Sequence, residues 1–135
     1  MFKARFTKQD RSTFTYWFAH WCAFNLVALN LRAWKFKYLF HDIEKPFLKL
    51  FMKYEDVQKI HREHNSHHLE YYMKNNKADW EAMAIDWECS GLTKQAAPLD
   101  CRGEMERMLA SDEYPTYVLH ALEMYMKPIL DKWGI

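Results

Sequence analysis

Three glycines and four prolines in 135 residues leave this chain few places to reverse direction tightly. No stretch carries the alternating Val/Ile/Thr pattern of a half-buried strand, so long helices joined by short loops are the economical solution. Half of the residues are apolar, which supplies a core and argues against disorder. A chain of this length supports one sizeable core, and the expectation is a single all-α domain over residues 1–135 with five or six helices.

Local signals place those helices. Thr13 can cap a first helix to about Ala33, with Trp17, Trp21, Phe24, Ala28 and Leu31 near one face. A second is expected from Phe36 to about Tyr54, bent at Pro46, and a third from about Glu55 to Met73. Asn75-Asn76-Lys77 reads as a turn, after which Asp79 caps a fourth helix through about Ser90, stopped by Gly91. Its apolar stripe is Trp80, Met83, Ala84 and Trp87, with Asp86 at the edge. Residues 91–99 read as a loop, followed by helices at about Cys101–Ala110 and Pro115–Lys132.

Charge and cysteine usage exclude several classes. The formal net charge of +1 gives no basic footprint for general nucleic-acid binding. The apolar run from Tyr16 to Leu29 is interrupted by His20 and Asn25 and falls short of the roughly 20 residues of a membrane span. Residues 1–11 are not followed by a signal-like cleavage site. Cys22, Cys89 and Cys101 are odd in number and form no CxxC pair, which predicts reduced, packed thiols and a cytoplasmic location.

Five of the seven histidines fall between positions 41 and 68. His41-Asp42-Ile43-Glu44-Lys45 is followed by His61-Arg62-Glu63-His64-Asn65-Ser66-His67-His68-Leu69-Glu70, and then by Asp86-Trp87-Glu88. Imidazoles and carboxylates from several elements are the donors that divalent transition metals need. A His-Asp pair at a helix break can aim two adjacent side chains at one point, where a regular helix would splay them by about 100°. On a continuous third helix, His61, His64 and His68 share a stripe and His67 is displaced from it. His20, alone on an apolar helix, reads by itself as a core histidine. His120, outside every cluster, reads as structural.

The order His20, His41-Asp42, Asp86 resembles the HD-domain superfamily of helical, metal-dependent phosphohydrolases. Leu39-Phe40-His41-Asp42-Ile43-Glu44-Lys45 is similar to that superfamily's apolar-apolar-His-Asp-Ile-Gly-Lys run, with Glu44 in place of the glycine. The blocks His41 to Lys45, His61 to Glu70 and Asp86-Trp87 more closely resemble small HD-like proteins of bacteria and phages, over about residues 16–95.

The resemblance implies that His20, His41, Asp42 and Asp86 hold one divalent ion of Mn, Fe, Co, Ni or Zn; Asp79, Glu81 and Glu88 are alternatives for the last acid. It leaves room for a second ion, with His61 and His68 as ligands. Lys45, Glu44 and His64 are the implied catalytic candidates, and His67 and Lys94 the substrate contacts, with Glu70 a weaker one. The implied substrate is a small phosphorylated molecule, a nucleotide foremost. No membrane partner is expected, the location is cytoplasmic (the host cytoplasm if the chain is phage-encoded), and the many aromatic residues leave room for a homodimer. A di-iron oxygenase and a non-enzymatic metal-binding interaction protein are the alternative functions.

Overall fold

The computed structural model describes residues 13–93 and 100–135, and among these every regular element is helical. Helix α1 (Phe14–Asn30) leads into a 3-10 turn (Phe36–Phe40) and the short α2 (Glu44–Leu48). Helices α3 (Tyr54–His64), α4 (Leu69–Asn75) and α5 (Trp80–Thr93) follow. After α6 (Cys101–Leu109), α7 (Thr116–Ala121) passes through a π-helical turn (Leu122–Met126) into α8 (Lys127–Trp133). No helix among the described residues is long and apolar enough to cross a membrane.

Capping chemistry fixes several boundaries. Thr13 accepts a hydrogen bond from the Tyr16 amide, Asp79 from the Ala82 amide, and Asp100 from the Gly103 amide. Asn76 takes the left-handed conformation that ends α4, and Gly134 does the same for α8.

Helix α5 is the spine. Its Met83 and Ala84 join Leu69, Met105, Leu122 and Met126 in one core cluster, while Ala82, Ile85 and Cys89 join Ala23, Phe24 and Tyr38 in another. A helix buried on two sides cannot show the single apolar stripe expected from its sequence. The packing of α1 on α5 is the most extensive among the described elements. Phe24 is fully buried in that contact, a burial worth about 1.5–3 kcal/mol.

Several expectations are corrected. The helix expected from Phe36 to Tyr54 is a 3-10 turn and a short α-helix separated by a turn at residues 41–43. Pro46 lies in the first turn of α2, where its missing amide costs nothing, so it is not the bend. The helix expected from Glu55 to Met73 breaks at residues 65–68. The Asn65 amide donates to the Glu44 carboxylate and to the His61 carbonyl, an alternative to continuing the helix. Gly91 does not stop α5, which continues to Thr93. The last helix contains a π turn just before Pro128, a residue that cannot complete regular helical bonding.

Candidate metal centre

The centre is assembled by one stripe of α1. Trp17, Trp21 and Asn25, four residues apart, donate side-chain hydrogen bonds to the carbonyls of Asp42 (2.8 Å), Leu39 (3.0 Å) and Tyr38 (3.1 Å). This fastens the 3-10 segment and the turn after it along the helix. In that turn Asp42 has φ = 56°, a left-handed conformation that costs a non-glycine residue about 1–2 kcal/mol and that Asp tolerates better than most. The reversal aims His41 and Asp42 into the same space. His41 also stacks on Phe24, with ring centroids 3.6 Å apart.

One group of donors gathers there. His20 Nε2 lies 2.9 Å from Asp86 Oδ1, 3.2 Å from His41 Nε2 and 3.7 Å from Asp42 Oδ2. His41 Nε2 is 3.5 Å from Asp42 Oδ2 and 3.4 Å from Asp86 Oδ1. All four residues are buried. The alternative acids are engaged elsewhere: Asp79 with Lys37, Glu81 with Lys35, and Glu88 with the Cys101 amide.

The other oxygen of Asp42 faces a second group. His61 Nε2 and His67 Nε2 lie 3.0 and 3.1 Å from Asp42 Oδ1, and His68 belongs to the same cluster, its four ligand atoms within 4.8 Å of one another. Asp42 Oδ1 and the three Nε2 atoms are buried, and none makes a hydrogen bond. Close, buried polar atoms that miss hydrogen-bond alignment with one another are what a shared cation would satisfy. The break at residues 65–68 produces this group, because it brings His67 and His68 back toward His61. The group therefore includes His67, which the sequence placed at the substrate rim.

Neighbouring residues orient these donor groups. Glu44 pairs with His61 Nδ1, which leaves His61 Nε2 to face Asp42. The Lys45 ammonium lies 3.1 Å from Asp42 Oδ2. Burial alone would raise the Asp42 carboxyl, but His41, His61, His67 and Lys45 outweigh it and hold it well below the ordinary range. Burial opposes ionisation of Asp86 too, and His20 and His41 reverse that effect. Burial lowers His41 to about 4 and, with His67 adding to it, His68 to about 2, so both rings are neutral, as ligands must be. At His61 burial is outweighed by Asp42 and Glu44, and its pKa is raised.

Other sequence candidates lie apart. His64 is exposed, and its Nδ1 is 2.9 Å from the Ile60 carbonyl oxygen. Glu70 is exposed and 3.9 Å from Arg62. Lys94 lies outside the described residues. His120 is exposed. The roles of Trp17, Trp21 and Asn25 as a backbone clamp were not evident, since indole rings on an apolar helix face read as core.

A polar cavity of about 50 Å³ reaches the centre, lined by His20, Asp42, His68 and Asp86 together with Lys45 and Arg62. It has room for a few heavy atoms, not for a whole nucleotide. Comparisons with protein-family models, curated proteins and solved structures find no match to this chain.

Proposed function

We propose that the chain is a metal-dependent phosphohydrolase of HD-like type that cleaves a small phosphoester. The observation that carries this reading is Asp42, which presents one oxygen to each of two donor groups beside a cavity lined by Lys45 and Arg62. His20, His41, Asp42 and Asp86 would hold one divalent ion, and Asp42, His61, His67 and His68 a second. Donor sets of imidazole and carboxylate suit Mn, Fe, Co, Ni or Zn. When bound, such ions supply Lewis acidity toward a phosphoryl oxygen and a water-derived nucleophile at neutral pH.

The chain's own residues supply the rest. The phosphoryl group enters the polar cavity, and Arg62 and Lys45 offset its charge; the ammonium of Lys45 also holds Asp42 ionised. Glu44 fixes the His61 tautomer and so acts through a ligand rather than on substrate. The free thiols of Cys22, Cys89 and Cys101 support a reducing, cytoplasmic setting.

The test is a screen of purified protein with Mn, Co, Ni, Fe, Zn and Mg against nucleotides and generic phosphoesters. Metal-dependent turnover that disappears in His41→Ala and Asp42→Asn supports the reading. Absence of turnover in every combination, or turnover surviving both substitutions, contradicts it. A second reading, a di-iron oxygenase, is favoured by the three-imidazole group on Asp42 Oδ1. Two irons per chain with substrate-dependent oxygen consumption would select it.

A further inference from the structure

Next to the polar cavity lies a larger one of different character. It measures about 320 Å³, within the range of small-molecule sites, and its walls include Phe14, Trp17, Pro46, Leu50 and Val57. Lys45 and Tyr54 line both cavities, so these two side chains form a shared wall. The Lys45 ammonium reaches Asp42 Oδ2 at 3.1 Å, and its chain contributes to the apolar pocket. Tyr54 is steadied on this wall by Gln58, whose amide donates to the phenol oxygen at 2.8 Å. Lys49 adds a second cationic side chain to the apolar cavity. Phe14 and Leu50 are 64% and 76% exposed, so the pocket has apolar surface open to incoming ligand.

The geometry points to an amphiphilic substrate, an alkyl or aryl phosphoester whose anionic group occupies the polar cavity and whose apolar body occupies the pocket behind Lys45 and Tyr54. This rests on the phosphohydrolase reading for its head group, while the apolar pocket stands on its own lining. A highly polar body such as a sugar would gain nothing from Phe14, Trp17, Pro46, Leu50 and Val57, whereas each methylene buried there strengthens binding by about 0.8 kcal/mol, about fourfold. Lys45 and Arg62, which line the polar cavity, select an anion over a neutral chain of the same length.

The experiment is calorimetric titration of the full chain with n-alkylphosphonates from methyl to octyl, which bind without being hydrolysed, with and without added Mn(II). The dissociation constant is expected to fall about threefold to fourfold per methylene until the pocket is filled, with the same increment in both conditions. Leu50→Asp, and independently Phe14→Ser, flatten the series; both positions are exposed, so the fold is retained. Hexanol binds at least tenfold more weakly than hexylphosphonate. A flat series, or one unchanged by both substitutions, overturns the pocket assignment, and equal binding of hexanol overturns the anionic head group. Hydrolysis of the matching alkyl phosphates separates this result from the reading it rests on. Length-dependent binding without turnover under any metal removes the phosphohydrolase and keeps the pocket. Turnover with no dependence on chain length does the reverse.

Discussion

His67 Nε2 lies 3.1 Å from Asp42 Oδ1, both atoms buried, and neither makes a hydrogen bond. A buried polar atom left unsatisfied costs about 1–3 kcal/mol, and here the condition is shared by four atoms in one cluster. A cation between them would convert that cost into binding energy. The opposite oxygen of the same carboxylate lies 3.5 Å from His41 Nε2, which makes Asp42 the hinge of both donor groups.

Asp42→Asn isolates the charge from the backbone. Asparagine also tolerates a φ of 56°, so the turn should form and the helical content stay unchanged. Metal retained after dialysis should fall at both positions together, as read by elemental analysis beside circular dichroism. Loss of one ion alone would mean that Asp42 is not shared.

The histidines of the 61–68 run should separate sharply. His68→Ala should lose the second ion and leave the first. His64→Ala, at an exposed site away from the cluster, should change stability by no more than about 0.5 kcal/mol and leave metal content intact. Thermal unfolding and metal content on the two variants decide this, and equal effects would contradict the break at residues 65–68.

Glu44→Gln keeps the size of the side chain but removes the carboxylate that pairs with His61 Nδ1. Affinity for the second ion should drop about 10–100-fold, the usual cost of losing a ligand's orienting partner. Competition with a fluorescent chelator would measure it, and the first ion should be unaffected.

Acidification should destabilise the metal-free protein. His41 and His68 have folded pKa values of about 4 and about 2, against 6.5 ordinarily, so below pH 6.5 the unfolded chain binds more protons at these sites than the fold does. Stability at these two positions is therefore full above pH 6.5 and falls as the pH drops toward their folded values. His61 acts in the opposite sense, because its raised pKa lends stability below 6.5 that is lost as pH rises through its folded value. Asp42 and Asp86 lend stability above their ordinary 3.8 and lose it only in stronger acid. Two histidines outweigh one, and melting temperature measured in a chelator should fall from pH 7 to pH 5. A flat or rising profile would contradict the buried neutral state of His41 and His68.

The all-helical class was legible because so few glycines and prolines interrupt the chain, and the caps at Thr13 and Asp79 because their side chains act within one turn. A break next to His41-Asp42 is legible in the sequence too, though its cause is the left-handed turn at Asp42 rather than Pro46. The second donor group was obscured by reading one helix through Asn65-Ser66. That dipeptide was the available signal, since both residues favour turns, and the Ser66 carbonyl goes on to accept the Asp79 amide. The clamp by Trp17, Trp21 and Asn25 depends on partners 13 to 25 residues away and leaves no local pattern.

The most direct measurement is the number of divalent ions bound per chain, by elemental mass spectrometry on protein purified without chelator and reloaded with Mn, Fe or Zn. Two ions per chain, falling to one in His68→Ala and to none in Asp42→Asn, is the predicted result. Saturation at no ion or at a single ion per chain, whichever metal is supplied, would contradict a centre in which Asp42 is shared.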